Sequence, residues 1–221
     1  MGGLIPLGDA SRRPARFPLA TVLIILANVY IFFQELVGGT SFVLAWSAIP
    51  SQFLSGHHWI TLITSMFMHG GWMHIIGNMI FLWAFGPQIE DVMGHLRYLV
   101  FYFAGGLVAM FAQVVVHPLS DVPILGASGA IAAIMGAFIV TYPRDRIRSL
   151  LIIFIFIRIT FIPAAVLIGF WFLIQLFDLG SVAGVQTGGV AYLAHVCGFI
   201  FGVVTARFFE DSRRIRRREW G

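Results

Sequence analysis

Four polar side chains, Ser128, His195, His74 and Asn78, interrupt stretches of sequence that are otherwise almost entirely apolar. A serine is a weak nucleophile until an adjacent base takes its proton, so Ser128 beside His195 would supply the pair that covalent catalysis requires. His74 and Asn78 are one helical turn apart, and both are able to donate hydrogen bonds to an oxyanion on an attacked carbonyl. The four residues lie in HGGWMHIIGN at 69–78, LGASGAI at 125–131 and AYLAHVCGFIFG at 191–202.

Each of these residues also has a plainer structural interpretation when it is taken alone. A serine between glycines in an apolar helix is more often a packing residue, and a histidine or asparagine there more often ties helices together by a hydrogen bond. The pattern GxSG is a weak motif, and it differs from the GxSxG nucleophile elbow, which also needs a preceding strand. The chemical interpretation therefore depends on whether the surrounding elements bring the four side chains together.

The composition identifies the solvent in which those elements must fold. Hydrophobic residues make up 59% of the 221 positions, charged residues make up 11%, and the mean hydropathy is +0.90. A soluble globular domain is roughly half apolar and a quarter charged. This composition excludes a water-soluble fold, and the length suits one compact helical bundle in a membrane.

The apolar residues fall into blocks that are long enough to cross about 30 Å of hydrocarbon as helices. We predict an all-α membrane protein with six transmembrane helices near 18–37, 72–90, 97–116, 128–143, 161–177 and 188–207. The blocks are continuously apolar rather than alternating, which favours helices over a barrel. The fifth boundary is the least defined, because 149–177 is apolar almost throughout and Pro163 marks either a kink or a helix start.

Arginine predicts the orientation of the chain, since the sequence contains no lysine. Arginines precede the first predicted span, and the others lie between the second and third spans, between the fourth and fifth, and after the sixth. The intervening segments 38–71, 117–127 and 178–187 contain none. All basic residues thus fall on one side of a six-span arrangement, which the positive-inside rule makes cytoplasmic, so both termini are expected to be cytoplasmic.

The same arrangement predicts that the four polar groups lie at one depth. Counting back from the arginine that follows each span, Ser128 lies roughly 24 Å and His195 roughly 18 Å above the cytoplasmic end, at 1.5 Å per residue. His74 and Asn78 lie roughly 24 and 18 Å above Glu90, which ends the second span. Three helices therefore deliver polar groups to one buried layer.

Small residues predict that the fourth and sixth spans pack closely. The fourth carries Gly129, Ala132, Ala133, Gly136 and Ala137, and the sixth carries Ala191, Ala194, Gly198 and Gly202. Small residues at this spacing let transmembrane helices approach each other. If these two faces meet, Ser128 and His195 come within hydrogen-bond reach.

The segments HGGWMHIIGN, GASGAIAAIMGA and AHVCGFIFG, in this order on the second, fourth and sixth of six predicted spans, resemble the rhomboid family of intramembrane proteases. The resemblance covers the chain from about 18 to 207. It implies that Ser128 is the nucleophile and His195 the general base of a dyad without an aspartate. It also implies an oxyanion hole made by His74, Asn78 and the backbone N–H of Ser128, with Gly126 shaping the adjacent turn.

The resemblance further implies that Gly198 and Gly202 let the sixth span approach the fourth, with Gly129 on the facing surface. Two positions depart from patterns found in some members of the family. An aromatic residue four positions after the nucleophile stacks on the histidine in some members, and this chain has Ala132 there. Some members also carry a Trp-Arg pair in the first loop, where residues 38–71 contain no arginine. These departures concern loop structure and substrate preference.

The expected function is hydrolysis of peptide bonds in or near the transmembrane helices of membrane-protein substrates, at a site open to the extracytoplasmic side of a bacterial plasma membrane. We divide the chain into a cytoplasmic segment 1–17, a six-span protease domain 18–207 and a basic cytoplasmic tail 208–221. Expected partners are transmembrane substrates and membrane lipid, with no nucleic acid, cofactor or metal. Two alternatives stay open: a catalytically silent relative that binds transmembrane helices, and a small membrane transporter.

Overall fold

A computed structural model describes residues 2–53, 58–181, 192–211 and 214. The helices in these ranges are α1 (Leu19–Trp46), α2 (Pro50–Phe53), α3 (Thr61–Thr64), α4 (Trp72–Met93), α5 (His95–Val116), α6 (Ser128–Thr141), α7 (Ala164–Ser181) and α8 (Tyr192–Phe209). The strands are β1 (Gly2–Asp9), β2 (Arg146–Ile153) and β3 (Phe156–Pro163), and a single 3-10 turn spans Ser65–Phe67.

A helix occupies each of the six predicted blocks. Within the described residues, α1, α5 and α8 are long and apolar enough to cross a membrane, and α6 and α7 are shorter apolar helices. The first predicted span ends close to Gly39, where α1 is kinked by a positive φ of 61°. The start of the sixth block, 188–191, lies outside the described residues. The molecule is thus a mostly helical integral membrane protein, and the number of crossings stays a prediction.

The all-α class needs one correction, because the chain also contains a three-stranded antiparallel sheet with the order β1-β2-β3. β2 and β3 form a hairpin from residues that sequence reasoning placed in a loop and at the start of the fifth helix. Pro163 ends β3, so α7 begins at Ala164 rather than at 161. The segment is rich in isoleucine, which favours strands. A continuous apolar run does not reveal by periodicity whether it is helix or strand.

The core of the molecule surrounds α6. Every residue from Gly129 to Phe138 is buried, as expected for a helix that is apolar on all sides. Helices α4, α5 and α8 pack around it, and among the described residues the α6–α8 contact is the most extensive between two helices. Because Ser128 is the first residue of α6 and His195 lies in the first turn of α8, the core places both at the same end of this contact.

A buried carboxylate joins the end of α4 to the start of α1. Glu90 accepts hydrogen bonds from the backbone N–H groups of Ala20 and Thr21 at 2.8 Å each, and from the Thr21 hydroxyl at 2.6 Å. A carboxylate stabilises a helix N-terminus because it satisfies free N–H groups and complements the helix dipole. This cap holds α1 against the helix that carries His74 and Asn78.

Candidate active site

Ser128 and His195 are hydrogen-bonded to each other, with 2.7 Å between Ser128 Oγ and His195 Nε2. Ser128 begins α6, and its backbone N–H belongs to the first turn, whose donors have no acceptor within the helix. The preceding Gly126 has its own N–H engaged, since it donates to the Ser65 carbonyl at 2.8 Å. The backbone N–H groups that lack an acceptor are therefore expected from Ser128 onward, close to the serine hydroxyl.

Direct contact between the main chains of α6 and α8 brings the serine and histidine together. A Cβ atom on Gly198 would overlap the carbonyl oxygen of Gly129, and one on Gly202 would overlap the carbonyl oxygen of Ala133. Gly136 likewise faces the carbonyl oxygen of Phe199 from the other side. Side chains at these positions would push the helices apart. The glycines thus set the separation that allows the 2.7 Å hydrogen bond.

The second ring nitrogen of His195 also has a partner, since Nδ1 lies 2.6 Å from Oε1 of Gln175 on α7. An amide oxygen only accepts hydrogen bonds, so Nδ1 carries the proton. In the neutral ring Nε2 then has a free lone pair, which accepts the hydrogen bond donated by Ser128. This is the tautomer that a general base for serine requires.

Sequence reasoning missed Gln175. The available signal was a polar residue in the apolar segment WFLIQLF at 171–177, which by default suggests a functional site in a membrane. Its partner could not be inferred, because nothing in the spacing along the chain relates α7 to His195.

His74 lies across from this pair on α4. Its Nδ1 accepts a hydrogen bond from the backbone N–H of Gly70 at 3.3 Å, so in the neutral ring Nε2 carries the proton and is a donor. A Cβ atom on Gly126 would lie 2.9 Å from His74 Nε2 and 3.5 Å from Ser128 Oγ. Gly126 also has a φ of +125°, a conformation that favours glycine. The turn therefore lets the donor nitrogen of His74 approach the serine.

Asn78 lies one turn further along α4 and is buried. Within the described part of the chain, its Nδ2 has no hydrogen-bond partner. A buried amide donor is normally satisfied, so an unpaired one calls for an explanation. A bound group with a negative oxygen would provide the missing acceptor.

His69 contacts His74 through its ring, with centroids 5.0 Å apart and planes at 65°. Its Nδ1 donates to the carbonyl of Phe67 at 3.2 Å, and its backbone N–H donates to Glu35 Oε1 at 2.9 Å. Burial lowers the pKa of His69 to about 4, since it disfavours the protonated ring. His69 therefore gives His74 a packing contact with a neutral ring.

An aromatic ring contacts His195 from α7 rather than from α6. Ala132, where some family members have an aromatic residue, is fully buried. The Trp171 ring lies with its centroid 5.9 Å from that of His195, at an interplanar angle of 39°. Sequence reasoning noted Ala132 but did not identify Trp171, which lies 39 residues further along the chain. One helix, α7, thus contributes both a hydrogen-bond acceptor and a ring to His195.

Comparison with known proteins identifies the family of the chain. The model of the Rhomboid domain family matches residues 56–211. The rhomboid protease GluP of Bacillus subtilis is 32% identical over 133 residues, covering 58% of this chain and 26% of GluP. The rhomboid protease GlpG of Yersinia pestis (strain Pestoides F) is 26% identical over 200 residues, covering 89% of this chain and 64% of GlpG. The matches thus span about a quarter of GluP and just under two thirds of GlpG.

Proposed function

The chain belongs to the rhomboid family, and from that premise we propose that it is an intramembrane serine endopeptidase with Ser128 as nucleophile and His195 as general base. The observation that carries the proposal is the 2.7 Å hydrogen bond between Ser128 Oγ and His195 Nε2. Two of its relatives, GluP and GlpG, are themselves named proteases. A serine and a histidine that served only to pack helices would not need the base tautomer described above.

In the proposed reaction, Ser128 Oγ attacks the carbonyl carbon of the scissile peptide bond while its proton passes to His195 Nε2. The carbonyl oxygen becomes an oxyanion, which accepts hydrogen bonds from His74, Asn78 and the backbone N–H of Ser128. The C–N bond then breaks, and His195 gives the proton to the leaving amine. Water hydrolyses the resulting acyl-enzyme through the same two residues and releases the second product.

We propose that the substrates are transmembrane segments of membrane proteins. A regular helix engages its carbonyls in backbone hydrogen bonds, so a substrate must unwind near the cleaved bond before Ser128 can attack. Glycine, proline or other small residues close to the cleavage site would lower the free energy of that unwinding. The proposed chemistry requires no cofactor or metal and no nucleic acid, and lipid surrounds the domain.

We retain the six-span arrangement over 18–207 as part of the proposal, with both termini cytoplasmic and the site open to the other side of a bacterial plasma membrane. Contacts among the arginine-bearing segments support it. The Arg12 side chain donates a hydrogen bond to the Asp145 carboxylate at 2.6 Å. The Glu210 carboxylate accepts hydrogen bonds from the Thr141 hydroxyl at 2.6 Å and from the Arg207 side chain at 2.8 Å. The N-terminal segment and the ends of α6 and α8 thus meet at one end of the bundle, away from the helix starts that carry Ser128 and His195.

The test compares wild type, Ser128→Ala and His195→Ala in detergent, with a fluorogenic peptide that contains a transmembrane segment. We expect wild type to cleave the peptide and each variant to lose about 1,000-fold or more of kcat, because removal of either dyad member leaves only binding and oxyanion effects. Thermal unfolding of the three proteins checks that the variants remain folded. Binding of several such peptides by wild type without any cleavage would instead indicate a catalytically silent helix-binding protein.

A further inference from the structure

We propose that Gln175 is a positioning residue for His195, so that the dyad works as a triad whose third member is a neutral amide on α7. The inference rests on the proposed function. Its basis is geometric: Gln175 is buried, and its Oε1 lies 2.6 Å from His195 Nδ1 while Ser128 Oγ lies 2.7 Å from Nε2 on the opposite side of the ring. The histidine is therefore held at both nitrogens.

The amide selects the useful tautomer of His195. Without an acceptor at Nδ1, a neutral imidazole is free to place its proton on Nε2, and that form cannot accept the proton of Ser128. In soluble serine proteases a carboxylate performs this orienting role. A carboxylate in a membrane would be a costly buried charge whenever the histidine is neutral. An amide supplies the acceptor without a net charge, which suits this environment.

The position of Gln175 on α7 makes this orientation depend on a second helix contact. Ser128 and His195 belong to α6 and α8, whose main chains touch. α7 contacts α8 through side chains instead: Trp171 lies beside His195, and the ring of Phe172 stacks on Phe199 with centroids 4.2 Å apart. Displacement of α7 from α8 would remove the acceptor from Nδ1 but leave the serine and histidine together. The dyad is thus fully oriented only while α7 is docked.

The experiment uses the full chain in detergent and three variants of α7. Gln175→Met has a similar length but lacks the acceptor, Gln175→Glu keeps an oxygen at the same place, and Leu176→Met changes an exposed neighbour. Three quantities are measured: kcat and KM for the transmembrane peptide, and the rate at which a fluorophosphonate labels Ser128. The small probe reports activation of the serine without requiring entry of a helix.

We expect Gln175→Met to lower kcat and the labelling rate by about tenfold, the effect of one lost hydrogen bond of about 1.4 kcal/mol, while KM changes by less than about twofold. Gln175→Glu should lose less of kcat and of the labelling rate than Gln175→Met does. Leu176→Met should have the same kcat and labelling rate as wild type. Should Gln175→Met fail to fold, Gln175→Ala serves as the second variant, with the same tenfold loss of labelling expected.

Two results would overturn the inference while leaving the proposed function intact. One is a Gln175→Met protein that cleaves and is labelled as fast as wild type. The other is a higher KM for the peptide at an unchanged labelling rate, which would mean that Gln175 only holds α7 in place for substrate. Failure of the proposed function itself is distinct, because wild type would then neither cleave the peptide nor be labelled at Ser128.

Discussion

Among the helices that pack against α8, α6 and α7 hold it in different ways. On one side it meets α6, where Gly198 and Gly202 bring main chain against main chain. It also meets α7, where Trp171, Phe172 and Gln175 make contact through side chains. Main-chain contacts leave no room for adjustment, whereas side chains have other rotamers available. The α6–α8 contact therefore sets the distance between Ser128 and His195. The α7–α8 contact orients the His195 ring and selects its tautomer.

The exposure of the outer face of α7 is consistent with this difference between the two contacts. Phe170, Leu173 and Phe177 are exposed there, with 66%, 63% and 77% of their surface accessible. In contrast, α6 is buried over most of its length. A lipid-facing helix attached by a few side chains is easier to displace than a helix enclosed by the core. The comparison leads to three predictions, which differ in the contact they disturb.

The largest effect is expected from Gly202→Ala on the α6–α8 contact. The added Cβ would overlap the carbonyl oxygen of Ala133, so α8 must shift and carry His195 with it. A displacement of about 1 Å at a catalytic group costs roughly 100-fold in rate, and overpacking costs about 1–3 kcal/mol of stability. The measurements are kcat for the transmembrane peptide and the unfolding temperature.

The matched control is Gly169→Ala on α7, because, outside its own stretch of helix, no atom of the described residues lies within 4 Å of the added Cβ. That variant should keep wild-type activity and stability. Equal losses in the two alanine variants would show that the α6–α8 contact is no more sensitive to an added methyl group than the outer face of α7.

A comparable loss of rate, but without the loss of stability expected for Gly202→Ala, is expected from His74→Ala on α4. If His74 Nε2 donates to the oxyanion, its removal should lower kcat by about 100-fold without destabilising the α6–α8 contact. The control is His69→Phe, which keeps a ring against His74 but removes the nitrogens. It should retain kcat within about threefold, since its role is packing. A His74→Ala protein with wild-type kcat would exclude this residue from the oxyanion hole.

The smallest effect is expected from Trp171→Ala on the α7–α8 contact. Loss of one ring beside His195 removes about 0.5–1.5 kcal/mol of aromatic contact, which corresponds to a decrease of roughly two- to tenfold in kcat. Stopped-flow cleavage of the peptide measures it. Trp171→Phe should recover most of the loss, because a ring remains. A loss as large as that of Gly202→Ala would remove the distinction between the two contacts.

The main-chain contact was the easier of the two to predict from sequence. Small residues at regular spacing on two apolar helices require a close approach, and helical rise alone places Ser128 and His195 at similar depths. The same reasoning predicts the helix that carries His74 and Asn78 and their depth along it. These inferences use only distances along single helices, which the chain encodes locally.

The contacts of α7 and the sheet were not predictable in the same way. Gln175 and Trp171 reach His195 only through the rotation of α7 about its axis, which depends on packing rather than on local sequence. The hairpin of β2 and β3 was hidden because isoleucine-rich strands and apolar helices have similar composition. β1, near the start of the chain, pairs with β2, which follows α6, and no local pattern reveals a pairing over so long a separation.

The most direct test of the central claim, that Ser128 is a nucleophile activated by His195, is covalent labelling with a fluorophosphonate followed by mass spectrometry of the modified peptide. The reaction is carried out on wild type and on His195→Ala under identical conditions in detergent. We predict that wild type is modified at Ser128 and that the variant is labelled at least about 100-fold more slowly, as expected for loss of a general base. Modification of another residue, or equal labelling of Ser128 in the two proteins, would contradict the account.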